Sequence, residues 1–135
     1  MGMYTELNIC VNLRKNTPQN IIDILKYMLG DIDEPPELTD HPLFKTERWT
    51  FMLRCTSRYF AGYTHSGMVE DDYDYHLNVR CSLKNYYSEI DQFLNFIAPY
   101  LSSYHGSFLG YTRYEEYDDP LLIYYDFDRK TVRYV

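Results

Sequence analysis

Phe51-Met52-Leu53-Arg54-Cys55-Thr56 and Leu77-Asn78-Val79-Arg80-Cys81-Ser82 are near-copies of one another, and how they are read decides the fold. Each alternates apolar side chains with others, the period of two expected from a strand with one buried face. Read as strands, Phe51, Leu53 and Cys55 share one face, as do Leu77, Val79 and Cys81. Arg54 and Arg80 then point the other way. Paired, the two strands build a sheet with an apolar side and an arginine-bearing side.

The flanking sequence extends this reading in both directions. Tyr4 to Leu13 alternates in the same manner, with Leu7, Ile9, Val11 and Leu13 opposite Glu6, Asn8, Cys10 and Asn12. Thr17-Pro18 offers an N-cap followed by a proline at the first helical position. Ile21, Ile24, Leu25 and Met28 follow at helical spacing, and Gly30 supplies a left-handed stop. Asp31 to Thr46 is acidic and carries three prolines, which predicts an irregular crossing with one short turn. Trp49 to Phe60 reads as the second strand, Ala61 to Asp74 as a long surface connection, and Tyr75 to Leu83 as the third strand. A second helix is expected from Asn85 or Ser88, burying Ile90, Phe93, Leu94 and Ile97 and ending at Pro99. Ser107 to Glu115, Leu121 to Phe127 and Thr131 to Val135 are three further strands.

The succession β-α-β-β-α-β, followed by two strands, resembles the ferredoxin-like arrangement. The expected class is therefore α+β: one domain over residues 1–135, an antiparallel sheet, two helices on one face, and an extra C-terminal hairpin. Leu7, Ile9, Val11, Ile21, Ile24, Leu25 and Met28 should form the core with Phe51, Leu53, Leu77, Val79, Phe93, Leu94 and Ile97. The open face would carry Asn8, Asn12, Arg54, Asn78 and Arg80, joined by Arg113.

Charge narrows the function. The net charge is −7, and most of the 20 carboxylates fall in four connections: Asp31 to Asp40, Glu70 to Asp74, Glu115 to Asp119, and Asp126 with Asp128. Turn chemistry accounts for part of this, since aspartate suits turns. The sharper reading is an acidic rim that meets a basic protein. The same balance disfavours direct binding to nucleic acid, because no basic stripe offsets phosphate repulsion. The 16 tyrosines, beside seven phenylalanines and one tryptophan, are too many to bury with every hydroxyl satisfied. Many should lie with the ring packed and the hydroxyl wet.

Three cysteines without a CxxC, each in a strand-like segment, suggest free buried thiols in a reducing, cytoplasmic setting. No signal-peptide pattern opens the chain and no long apolar run crosses a bilayer, so no membrane association is expected. The four histidines show no metal-ligand spacing, and Cys55 and Cys81 would face the core, which argues against zinc. Glu70-Asp71-Asp72-Tyr73-Asp74 lacks the glycine that a calcium loop of the EF-hand type needs at its sharp turn. No phosphate-binding loop, nucleophile elbow or dinucleotide fingerprint occurs. No catalytic residue, cofactor or metal is assigned, and nothing in the sequence supports an enzyme.

What the residues favour is a small, acidic, non-enzymatic protein-binding module, of inhibitor or immunity (anti-defence) type from a bacterium or phage, acting on a basic, nucleic-acid-binding target. Its candidate contacts are Glu70, Asp71, Asp72, Asp74, Glu115, Glu116, Asp118 and Asp119, with Arg54 and Arg80 on the open sheet face. The alternative is a homo-oligomeric domain, a homodimer for instance, or a binder of small anions, using the arginine- and tyrosine-bearing face.

Overall fold

The computed structural model describes residues 3–56, 66–103 and 106–135. Six antiparallel strands form one sheet in the order β2-β3-β1-β4-β5-β6. They are β1 (Thr5–Arg14), β2 (Gly67–Glu70), β3 (Asp74–Leu83), β4 (Phe108–Tyr114), β5 (Leu121–Asp126) and β6 (Thr131–Tyr134). Helix α1 (Gln19–Leu29) follows β1, and α2 (Glu89–Ile97) follows β3. The chain is an α+β protein built on a six-stranded antiparallel sheet and two helices.

The central pair is β1 and β3, registered from Thr5 against Leu83 to Arg14 against Asp74. Leu7, Ile9, Val11 and Leu13 face Cys81, Val79, Leu77 and Tyr75 across it, all buried in one core. Ile21, Ile24, Leu25 and Met28 of α1 and Ile90, Phe93, Leu94 and Ile97 of α2 enter the same cluster, so both helices cover the same face. Thr17 does not cap α1 as expected, since its hydroxyl donates to the Arg14 carbonyl and Pro18 stands at the N-cap, but the helix stops where its glycine predicts. Gly30 adopts φ 84°, and the cap N–H groups return to the Lys26 and Tyr27 carbonyls. At α2 the capping side chain is Asn85, whose Oδ1 accepts from the Ile90 N–H at 2.9 Å, while Ser88 stands in the left-handed region without a side-chain cap bond.

The first half of the near-repeat departs from expectation. Residues 49–56 are not a strand: Met52–Arg54 is a 3-10 turn, Met52 and Leu53 are both fully buried, and Phe51 is 42% exposed. A one-sided strand cannot bury two consecutive residues, whereas a tight turn lying on the core can. Residues 57–60 of the expected strand lie outside the described residues. The edge beside β3 is taken instead by Gly67–Glu70, which the sequence placed in a surface connection. That pairing closes a short hairpin, with far less loop to order than a strand at 49–60 would need.

The displaced segment covers the core. Phe44 stacks edge-on to Trp49 at 4.8 Å and to Phe96 at 5.4 Å, and Trp49 meets Tyr27 of α1 at 6.0 Å between ring centroids. These contacts join the crossing segment to both helices. Arg54 therefore does not share the open sheet face with Arg80. It lies against Gly30 at the end of α1, and its Nη2 donates to the Thr50 carbonyl at 3.3 Å. Cys81 is buried as expected and Cys55 is half-buried, but Cys10 is exposed on the open face.

Candidate functional site

β1 fixes the geometry of every candidate. Its C-terminal end, Arg14, pairs with Asp74 beside the β2–β3 turn, and its N-terminal end, Thr5, pairs with Tyr114 beside the β4–β5 turn. Nine residue steps of extended chain separate these ends, roughly 30 Å. The two acidic groups singled out by sequence, Glu70 to Asp74 and Glu115 to Asp119, thus sit at opposite ends of the sheet. The structure does not bring them together into one rim.

They also differ in what the fold asks of them. Asp71 Oδ1 accepts from the Tyr73 and Asp74 N–H groups at 2.8 and 2.9 Å, and Oδ2 meets His76 Nε2 at 2.6 Å. The Asp74 amide, the His76 ring and the Tyr73 amide hold its carboxyl well below the usual carboxylate range. His76 is anchored in turn, its Nδ1 lying 2.7 Å from Asn12 Oδ1. Glu70 pairs with Lys15 Nζ at 2.7 Å. This end is a hairpin turn tied to β1.

At the other end, Glu115 Oε2 accepts from the Tyr4 N–H at 2.9 Å, and the turn is closed by Tyr117 N–H to the Tyr114 carbonyl at 3.0 Å. Arg113 Nε reaches the Tyr117 carbonyl at 3.5 Å. Glu116, Asp118 and Asp119 are exposed and make no hydrogen bond or ion pair among the described residues. Their charge is left to solvent or to a partner.

Beside this turn opens a pocket of about 440 Å³ between the start of α2 and the β4–β6 end of the sheet. Ile90, Thr112 and Leu121 contribute to its wall, and Tyr114, Tyr117 and Tyr134 bring three phenol rings to it. Asp91 and Asp119 line it as well. Tyr114 and Tyr117 stand edge-to-face, 5.2 Å between centroids. The Tyr134 hydroxyl donates to Asp91 Oδ1, which ties β6 to α2; burial and that carboxylate push the phenol far above its ordinary pKa. The Tyr114 phenol is also raised, first by burial and then by the charge of Glu116, the Tyr86 phenol and Glu115. Sequence reasoning named Asp119 but missed Asp91 and Tyr134, because 43 residues separate them and only the tertiary fold joins them.

The open sheet face carries Arg80 beside Asn8 and Asn78, along a shallow cavity of about 370 Å³. Glu6, buried among these polar neighbours at 1% exposure, interrupts its positive character. Burial raises the Glu6 pKa, opposed by the Tyr111 hydroxyl at 3.4 Å and by the charges of Arg113 and Arg80. Among the described residues no group of three or more His, Cys, Asp or Glu side chains is placed to hold a metal ion. No helix among them is long and apolar enough to cross a membrane. No protein-family model, curated protein or solved structure matches the chain.

Proposed function

We propose that this chain is a non-enzymatic binding module whose β4–β5 end recognises a basic protein. One observation carries the reading: Glu116, Asp118 and Asp119 are three exposed carboxylates with no hydrogen bond or ion pair among the described residues, set on the β4–β5 turn beside a tyrosine-lined pocket. Unpaired surface charge of one sign raises the local concentration of partners of the opposite sign and steers their approach. Of the two acidic groups, this one supports the function better, since Asp71 and Glu70 hold their own hairpin together. The setting that fits is a cytoplasmic inhibitor of a nucleic-acid-binding protein, its carboxylates standing where phosphates would lie.

The order β2-β3-β1-β4, with a helix after β1 and another after β3, supports reading the first four strands as ferredoxin-like and β5–β6 as an added hairpin. The alternative use of an arginine-bearing sheet face draws less support, because Arg54 lies elsewhere and Glu6 sits between Arg80 and Arg113.

The test is calorimetric titration of a lysine-rich peptide at low salt. The triple variant Glu116→Gln, Asp118→Asn, Asp119→Asn should bind about tenfold more weakly than the native chain, each exposed pair contributing modestly. The pair Glu70→Gln, Asp72→Asn should bind as the native chain does. Equal losses in both variants, or none in the first, would refute the assignment.

A further inference from the structure

We infer that the pocket between α2 and the β4–β5 turn is a receptor for a single side-chain cation, a lysine ammonium or arginine guanidinium presented by the basic partner. The inference rests on the reading above and adds to it a seat for one defined group. Three tyrosine rings meet there, Tyr114, Tyr117 and Tyr134, and the face of a phenol attracts a cation. Two carboxylates line the same space, Asp91 and Asp119. Asp91 gives one oxygen to the Tyr134 hydroxyl and keeps the other; Asp119 has no partner among the described residues. No lysine or arginine is among the pocket's lining residues.

That last point sets this pocket against four other tyrosines of the chain. Tyr75, Tyr86, Tyr4 and Tyr124 are each covered by one of the chain's own cations, Lys15, Arg48, Lys84 and Arg133, at 5.1, 5.2, 5.9 and 5.0 Å from the ring centroids. The chain thus repeatedly sets a cation on a tyrosine. At the pocket the rings and carboxylates are assembled without one among the described lining residues, and the Tyr114 phenol is raised there first by burial and then by the charge of Glu116, the Tyr86 phenol and Glu115. A guest cation completes an arrangement the fold builds elsewhere from its own residues. The wall also has apolar area, from Ile90 and Leu121, for the methylene stem that carries the charge.

The test uses N-acetyl-lysine amide, N-acetyl-arginine amide and the neutral N-acetyl-norleucine amide, titrated into the full chain and followed by the ring resonances of Tyr114, Tyr117 and Tyr134. Both cationic probes should shift these resonances, with affinities on the order of millimolar, and norleucine should bind at least about threefold more weakly, the worth of one ring contact. Asp119→Asn should weaken the cationic probes about two- to fivefold and leave norleucine unchanged. Tyr117→Leu, at an exposed position, should weaken them about as much. Norleucine binding as well as lysine would overturn the inference. A lysine-rich peptide that binds through Glu116, Asp118 and Asp119 without moving the three ring resonances would overturn it too, and would leave the acidic-turn reading standing. Failure of both peptide and probes would remove both.

Discussion

Glu89 is completely buried at the start of α2, and its replacement gives a direct measure of how the covering segment is held. One carboxylate oxygen accepts from the Arg48 N–H at 3.1 Å and the other from the Tyr87 N–H at 3.0 Å. The Arg48 guanidinium lies 3.6 Å from the same carboxylate, and its buried Nη1 has no hydrogen-bond partner among the described residues. Glu89→Ala removes an acceptor from two backbone donors and takes the buried carboxylate from a largely buried cation, leaving it only the exposed Glu47 carboxylate at 3.8 Å. Two charge-assisted hydrogen bonds at about 1.5–3 kcal/mol each overlap with the roughly 3–5 kcal/mol lost when one member of a buried pair is deleted. The expected cost is therefore about 3–5 kcal/mol, a large share of the stability of a domain this size. Arg48→Met added to Glu89→Ala should recover part of it, because the largely buried charge that has lost its buried partner goes too. Urea denaturation followed by circular dichroism measures the cost. The fluorescence of Trp49, the chain's only tryptophan and a neighbour of Arg48, reports the covering segment separately. A loss below about half a kcal/mol for Glu89→Ala would refute the claim that this carboxylate clasps the segment to α2.

At Gly110, φ is +152° and an added Cβ would lie 2.0 Å from the Asn8 carbonyl oxygen, so Gly110→Ala should cost more than about 3 kcal/mol in the same assay; a loss under about 1 kcal/mol would contradict the β1–β4 register. Cys10 should react quickly with a thiol reagent in the native state and Cys81 only after unfolding, since burial both hides the Cys81 thiol and raises its pKa; fast native labelling of Cys81 would reverse the face assignment of β3. Asp71 has its folded-state pKa held below its ordinary 3.8, so it stabilises the hairpin above that pH and the contribution fades as pH falls further. Asp71→Ala should accordingly lower the unfolding midpoint at neutral pH and change it less in acid; an equal effect at both would show that the ionised carboxylate is not what matters.

Much of this fold is written in periodicity. Leu7 to Leu13, Ile21 to Met28, Leu77 to Cys81 and Ile90 to Ile97 carry patterns of two or of three to four that leave little choice of element, and all are buried as those patterns require. Phe51-Met52-Leu53-Arg54-Cys55 misleads because five residues of alternation also fit a tight turn that buries its middle. The adjacent apolar pair Met52-Leu53 was the contrary signal. Gly67–Glu70 escaped notice because an edge strand of four residues has almost no pattern, and its pairing to β3 decides it. Gly110, a glycine inside the β4 run, sits where the register against β5 shifts beside Phe108, a bulge that the simple strand expectation for Ser107 to Glu115 did not include.

The candidate site was legible only by halves. Clustered carboxylates can be seen in sequence, but whether the fold uses them cannot. Asp71 turns out to anchor a hairpin while Asp118 and Asp119 make no hydrogen bond or ion pair among the described residues. Asp91 and Glu89 both read as acidic residues in the first turn of a helix, suited to its dipole. One is buried under Arg48 and the other lines the pocket, a difference set by the side of α2 each faces.

The central claim is that cationic partners engage the β4–β5 end of the sheet. The most direct measurement is the amide footprint of one lysine-rich peptide on the isotopically labelled chain at low salt. Shifts confined to residues 114–121 and 85–91, fading as salt rises, are the predicted result. Comparable shifts at Asp71 to Asp74, or a footprint centred on Asn8, Asn78 and Arg80, would contradict it.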